Sequence, residues 1–201
     1  MDLFATKFFE ATLEPRFRRF LVDLGSNSVN YPTTGNWNNI SAANNADVSG
    51  YRVTNIIDSE GQPSSINVDI VSGFTCVMDS AYTTTVNNGL YPWSALRDSF
   101  MAANGVTAEI IIAGVSANKQ YKLLALSGRH SLTATTRMIV TIDIEGTQVV
   151  ILDQQIATKN NITNLFETKD FTVPGIDKIK ITVMGVASAA WLNVIELREY
   201  I

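Results

Sequence analysis

Three aromatic or cationic side chains stand beside hydrogen-bonding groups in patterns that suit binding of a ligand. Trp37 is followed directly by Asn38 and Asn39, an arrangement in which the indole lies against a sugar ring and the amides bond its hydroxyls. Trp93 follows a Tyr-Pro pair and offers a second aromatic surface of the same kind. Arg129 follows a Ser-Gly pair, and a guanidinium bonds a carboxylate or a hydroxyl through parallel N–H groups. The candidate sugar-binding residues are therefore Trp37, Asn38, Asn39, Trp93 and Arg129.

The same residues also have a purely structural interpretation. Trp37 can close the edge of a β-domain while its asparagine neighbours satisfy loop backbone. Trp93 carries the same ambiguity. Arg129 can pair with Asp58 or Asp98 and so hold two loops together. From the sequence alone both interpretations stay open.

Nucleophilic catalysis finds little support in the residue types. A serine hydrolase needs a nucleophile, a base and an acid within hydrogen-bond reach, but His130 is the single histidine and no Gly-x-Ser-x-Gly motif occurs. Cys76 is the single cysteine, which excludes an intramolecular disulfide and, with one histidine, a Cys/His zinc site within one chain. The apolar neighbours of Cys76 favour a small buried side chain over a nucleophile.

Glycoside hydrolysis and metal binding are harder to exclude by residue type. Two carboxylates across a cleft suffice for hydrolysis, and Asp58, Glu60, Asp79 and Asp98 lie in or near predicted loops, yet no spacing singles out a pair. A structural calcium could sit among loop carboxylates and carbonyls, again without a spacing that marks its site. No phosphate-binding glycine loop, dinucleotide motif or EF-hand occurs. We therefore expect no enzymatic activity, no catalytic residues and no cofactor, with the metal question left open.

Length and charge limit the range of partners. The chain has 201 residues with 15 basic and 19 acidic side chains, enough for one domain or one domain with an arm. A hydrophobic content of 46% with 17% charged residues predicts a folded main body. The net charge of −4 and the lack of a long basic run argue against a nucleic-acid partner. No apolar run reaches the roughly 18 to 20 residues that span a bilayer, so we expect no membrane span.

The first 19 residues differ from the rest of the chain. Large apolar side chains recur there at spacings of four or five and predict a short amphipathic helical arm: Phe4, Phe8, Phe9, Leu13 and Phe17. Pro15 would end or kink that helix. The arm is either an anchor that docks into a partner subunit or a cover for one end of the protein's own core. Charged residues interrupt its apolar run and no small-residue cleavage site follows, so it does not read as a signal peptide.

From residue 20 to residue 201 the pattern changes to short strands separated by turn residues. Val, Ile and Thr dominate these runs and alternate with polar residues. The predicted strands are 20–24, 51–57, 65–71, 107–113, 121–126, 138–145, 147–152, 166–173, 179–184 and 191–198, with a tight hairpin turn at 145–146 and a short helix or turn at 94–103. Many short strands with little helix predict one all-β domain, an antiparallel β-sandwich.

Six motifs follow one another along residues 20–201. They are FLVDLG at 20–25, GNWNN at 35–39, DSEG at 58–61, YPWSALRDS at 91–99, KQY leading to SGR at 119–129, and WLNVIEL at 191–197. Their order resembles the galactose-binding-like jelly rolls found in bacterial surface and carbohydrate-binding proteins and in phage fibre or tail proteins. The resemblance implies two packed antiparallel sheets, a non-catalytic function in recognition or assembly, sugar binding through loops at one end and, in some members, a structural calcium.

The arm and the jelly roll together predict a non-enzymatic structural or attachment component of a virion. It would be a phage-like head or tail decoration or fibre that recognises carbohydrate on the host surface. Its partners would be other virion subunits and further copies of itself, since an apolar arm suits a subunit interface. The alternative is a carbohydrate-binding module of a bacterial surface or secreted glycan-processing system, located outside the cell or on its surface.

Overall fold

The computed structural model describes residues 15–27, 33–78, 90–130, 132–144, 146–172 and 178–201. Within these ranges the chain forms fifteen strands and one short helix. In chain order they are β1 (Phe17–Ser26), β2 (Asn38–Ala42), β3 (Arg52–Val53), β4 (Asn67–Ser72), β5 (Phe74–Met78), α1 (Trp93–Arg97), β6 (Asp98–Ala102), β7 (Thr107–Ala113), β8 (Gln120–Leu126), β9 (Thr135–Ile144), β10 (Thr147–Ala157), β11 (Leu165–Glu167), β12 (Phe171–Thr172), β13 (Lys178–Gly185), β14 (Ala190–Leu192) and β15 (Val194–Tyr200). None of the described helical segments is long and apolar enough to cross a membrane.

Two six-stranded sheets and one three-stranded sheet make up the body. The first sheet runs β11-β8-β15-β1-β2, with β12 also pairing β8, and the second runs β10-β9-β13-β7-β4-β3. The third sheet, β14-β6-β5, contributes Phe74 and Phe100 to the same core as the other two. Strand pairing is antiparallel except between β1 and β2, which run parallel. The predicted all-β sandwich is confirmed.

Side-chain alternation along the strands builds the core between the two large sheets. On β13, Ile179, Ile181 and Val183 are fully buried while the residues between them are half-buried on the outer face. Leu123 on β8 and Ile195 on β15 meet them from the first sheet as members of one cluster. Each aliphatic side chain buried in this way stabilises the fold by about 1.5 to 3 kcal/mol relative to leaving it in water.

Local patterns predicted some elements well and others poorly. The strand 107–113 is found with the predicted bounds, and the predicted hairpin joins β9 to β10 at Gly146, whose φ is +83°. The predicted helix or turn at 94–103 is helical only over Trp93–Arg97. Its second half is β6, because pairing with β5 on one side and β14 on the other satisfies the backbone of that segment as a strand.

The predicted helical arm does not extend to Phe17. Phe17 is the first residue of β1 and pairs with Tyr200, so the sandwich begins before the predicted boundary at residue 20. The Phe17 ring lies edge-on to that of Tyr200 at 6.0 Å, and the guanidinium of Arg198 stands over it at 4.9 Å. Strand pairing and these ring contacts outweigh the helical spacing. The other four predicted arm residues, Phe4, Phe8, Phe9 and Leu13, lie outside the described residues.

Candidate functional site

A second hydrophobic cluster lies on the outer face of the first sheet. Along β1, Phe20 and Val22 belong to the main core, whereas Leu21 between them points to the opposite face and joins the second cluster. Helix α1 and Tyr91 cover this face. The buried members of the cluster are Leu21, Tyr91, Ala95, Leu96, Leu126 and Val194, and Trp37, Ile162 and Leu165 pack against them. The cluster therefore holds α1, which carries Trp93, and the segment of Trp37 against one sheet.

Buried Glu196 on β15 fixes the chain just before α1. Its Oε1 and Oε2 accept hydrogen bonds of 2.8 and 3.0 Å from the guanidinium of Arg19, and its Oε1 accepts a third, of 2.7 Å, from Arg198. The hydroxyl of Tyr91 donates to Oε2 at 2.9 Å. Burial alone would raise the pKa of Glu196, but the bonds from the two arginines outweigh it and hold that pKa below its ordinary value. Glu196 is therefore an ionised anchor that links Tyr91 to the first sheet.

Asn193 fixes the other end of α1. Its side-chain amide donates to the carbonyls of Leu96 at 3.1 Å and Asp98 at 2.9 Å, and its carbonyl accepts the N–H of Gly128 at 2.8 Å. Asn193 is buried, so these bonds are well shielded from water. The C-terminal end of α1 therefore lies within one side chain's reach of the loop that carries Arg129.

Trp93 is the exposed aromatic residue of this region. At the start of α1 its side chain remains 36% exposed, and the guanidinium of Arg97, one turn later, stands over the ring at 5.5 Å. The next residue, Ser94, accepts a 3.0 Å hydrogen bond from the hydroxyl of Thr33. Leu90, just before the helix, is 50% exposed. We call the surface formed by Leu90, Trp93 and Arg97 the α1 platform.

Trp37 and its two asparagines lie beside the platform but serve the fold. The Trp37 ring is half-buried and meets Tyr91 edge-on at 6.1 Å. The amide of Asn38 donates to the carbonyls of Leu21 and Ile57 and accepts the N–H of Ile57. The amide of Asn39 bonds the backbone N–H and C=O of Thr33. Both asparagine side chains thus use their hydrogen-bonding groups within the protein, and they hold β2 and the loop before it in place.

Arg129 belongs to the loop that follows β8. Its backbone N–H donates to Thr158 and its carbonyl accepts from Asn160, both at 2.9 Å, in a parallel bridge with Lys159. The side chain is half-buried. Asn193 brings this loop next to the C-terminal end of α1, although the two elements are far apart in sequence.

The buried acids and the thiol form no metal-binding cluster among the described residues. No group of three or more His, Cys, Asp or Glu side chains in that part of the chain is placed to hold a metal ion. Asp23 and Asp98 are almost completely buried, and burial first and then the charge of Asp98 raise the pKa of Asp23 to about 8. Burial raises the pKa of Cys76 to about 11, which leaves its thiol protonated and unreactive at neutral pH.

Sequence reasoning passed over the residues that position the α1 platform. Glu196 and Asn193 were seen only as parts of the closing motif WLNVIEL. A usable signal was present, because a carboxylate and an amide inside an otherwise apolar strand must find partners when the strand is buried. Which partners they find depends on contacts across about a hundred residues of sequence, which no local pattern encodes.

Comparison with known proteins gives similarity of structure only. No known protein family and no curated protein matches the sequence. Among solved structures, the chain is similar to the K2 cleaved adhesin domain of Lys-gingipain, with 11% identity and a TM-score of 0.38 over 62% of this chain and 82% of that one. It is also similar to TmCBM61, solved in complex with β-1,4-galactotriose, with 10% identity and a TM-score of 0.36 over 67% of this chain and 88% of that one.

A third similar structure is the enzymatically active domain of tailspike protein 4 of bacteriophage CBA120. The identity is 17% and the TM-score is 0.33, over 67% of this chain and 19% of the tailspike chain. At TM-scores below 0.5 these likenesses assign no function to the chain.

Proposed function

We propose that this chain is a non-enzymatic carbohydrate-binding module whose ligand stacks on Trp93 of the α1 platform. The observation that carries the proposal is the exposed indole of Trp93 with the guanidinium of Arg97 over its ring. An indole offers a flat apolar surface suited to the C–H face of a sugar ring, and a guanidinium beside it donates to hydroxyls.

Rigid placement of the indole strengthens the proposal. Helix α1 has only five residues and would not persist alone, yet three side-chain anchors hold it: Tyr91 on Glu196, Thr33 on Ser94 and Asn193 on Leu96. A side chain held in its binding conformation loses little entropy when a ligand arrives, so more of the contact energy appears as affinity.

The experiment is a glycan-array screen of the full chain, with and without calcium, followed by titration of the best ligand into variants. Trp93→Ala should weaken binding by about thirtyfold, the effect of truncating a central aromatic contact. The matched control is Tyr51→Ala, because Tyr51 is 40% exposed on a different loop. Unchanged affinity in Trp93→Ala, with a native circular dichroism spectrum, would contradict the proposal.

A virion attachment component is the second candidate function, and the aromatic spacing of residues 1–14 favours it. In that setting the carbohydrate would belong to the host surface and the arm would dock into a neighbouring subunit. Deleting residues 1–14 should abolish incorporation into particles while the β-sandwich keeps its melting temperature. Normal incorporation of the truncated chain would contradict a docking function for the arm.

A further inference from the structure

A cleft of about 460 Å³ lies between the edges of the two large sheets. One wall is the C-terminal half of β10, the outermost strand of the second sheet, and the other is β11 with the loop before it, at the margin of the first sheet. Ile156 and Leu165 give the cleft an apolar floor. Its volume falls within the range of about 300 to 1,000 Å³ that is usual for small-molecule sites.

Uncharged hydrogen-bonding side chains surround this floor. The side chain of Gln154 extends from β10 toward β11, and its carbonyl accepts the backbone N–H of Glu167 at 3.4 Å. This hydrogen bond is long, so a ligand hydroxyl can replace it. Thr163 and Asn164 stand on the opposite wall, both exposed. The Thr163 hydroxyl and the Asn164 side-chain amide make no hydrogen bond to other residues in the described part of the chain. Among the described lining residues the one charged side chain, Glu167, is ion-paired with Lys122.

The wall that carries Thr163 and Asn164 is held rigidly. Asn161 is buried, and its side-chain carbonyl accepts the N–H groups of Thr163 at 3.3 Å and Asn164 at 2.9 Å. Its side-chain N–H groups donate to the carbonyls of Ser127 at 2.8 Å and Asn164 at 2.9 Å. With every polar group of the Asn161 side chain used in this way, the loop is fixed to Ser127, the residue that follows β8, before any ligand arrives.

We infer that this cleft binds an uncharged saccharide. Amide and hydroxyl side chains both donate and accept hydrogen bonds, which matches sugar hydroxyls, and an apolar floor matches the C–H face of a pyranose ring. The charge of Glu167, the one charged side chain in the described lining, is balanced by Lys122, so this part of the lining favours an uncharged ligand over an ionic one. The inference does not rest on the α1 platform, since the two sites share no residue, and together they would give the module two contacts with one glycan surface.

The test follows nitrogen-15-labelled full-length protein by NMR during titration with β-1,4-linked hexasaccharides of glucose, xylose and mannose. Side-chain amide signals of Gln154 and Asn164 report on the cleft, and the indole N–H signal of Trp93 reports on the platform. The cleft signals should shift saturably with at least one hexasaccharide, also in the Trp93→Ala variant. Asn164→Ala should weaken binding at the cleft by about threefold to tenfold, the effect of losing one hydrogen bond.

The matched control is Gln148→Ala, because Gln148 is exposed on the same strand β10 but outside the cleft. It should leave the cleft titration unchanged. Cleft signals that stay fixed with all three hexasaccharides in folded protein would overturn the inference. A fixed Trp93 signal beside shifting cleft signals would overturn the proposed function of the platform and leave the cleft assignment intact.

Discussion

The hydroxyl of Tyr91 donates a 2.9 Å hydrogen bond to Oε2 of Glu196, a contact that joins residues 105 positions apart. The same carboxylate accepts bonds from Arg19 on β1 and Arg198 on β15. One buried acid therefore fixes the segment that leads into α1 and satisfies two guanidinium groups on the first sheet. The placement of Trp93, two residues after Tyr91, depends on this arrangement.

Tyr91→Phe should lower the free energy of unfolding by about 1.5 to 3 kcal/mol, because it removes a hydrogen bond to a buried charged group while the ring packing stays. Urea denaturation at pH 7 measures the change. The control is Tyr51→Phe, whose ring is 40% exposed, and it should stay within about 0.5 kcal/mol of the parent. Equal unfolding midpoints for the two variants would show that the Tyr91 hydroxyl contributes nothing to stability.

Elements with a strong local pattern are those that the sequence predicted. β13 alternates polar and apolar residues over 178–183, and β7 is rich in isoleucine, because each strand buries one face in the core. Gly146 marks the hairpin because its φ of +83° disfavours residues with a Cβ. β2 was missed because its sequence, NNISA, is polar, and its strand conformation depends on pairing with β1.

The candidate site likewise combines residues that the sequence identified with features that depend on the tertiary structure. Trp93 was identifiable by residue type and by its neighbours, but its exposure depends on how α1 packs on the first sheet. The direction of the Asn38 and Asn39 amides depends on the parallel register of β1 and β2, which no local pattern encodes. The cleft was invisible for the same reason, since its walls come from two strands in different sheets.

Gly114→Ala should destabilise the domain much more than Gly105→Ala. The two glycines have nearly equal φ angles, +76° and +75°, so the backbone strain of an added Cβ is about the same. A Cβ at Gly114 would lie 2.1 Å from the carbonyl oxygen of Ser65, whereas a Cβ at Gly105 meets nothing within 4 Å. We expect a loss of about 1 kcal/mol for Gly105→Ala and at least 3 kcal/mol for Gly114→Ala by urea denaturation. Similar losses in both variants would mean that the backbone at Ser65 shifts away from the added Cβ at little cost in the free energy of unfolding.

Cys76 should react with a thiol reagent only when the protein unfolds. Its side chain is fully buried, its Sγ donates to the carbonyl of Gly25 at 3.3 Å, and burial raises its pKa to about 11. At pH 8 the native protein should react with a disulfide reagent at least about a thousandfold more slowly than the denatured protein, because global opening is rare. Thr172→Cys adds an exposed thiol on β12, and in that variant one thiol should react at once and the other slowly. Rapid reaction of Cys76 in the native parent would reveal a local opening of β5.

Asp23 and Asp98 place two carboxyl groups in a buried region at one end of β1. Burial raises the pKa of Asp98 to about 6, and burial together with the charge of Asp98 raises the pKa of Asp23 to about 8. The N–H of Ser26 donates to Asp98 at 2.6 Å, and one oxygen of each acid has no hydrogen-bond partner among the described residues. The folded state therefore holds protons more tightly than the unfolded chain, whose aspartates ionise near pH 4.

Stability should fall as pH rises from about 4 to 8, because the unfolded chain releases these protons before the folded state does. Asp23→Asn removes the larger of the two shifts, so its melting temperature should fall less over this range and exceed that of the parent at pH 8.5. Asp153→Asn is the control, since exposed Asp153 has its pKa lowered by a hydrogen bond from Arg137. Its loss of stability should be small and should leave the slope between pH 5 and 8.5 unchanged. Parallel curves for the parent and Asp23→Asn would mean that Asp23 ionises in the folded state as easily as in the unfolded chain.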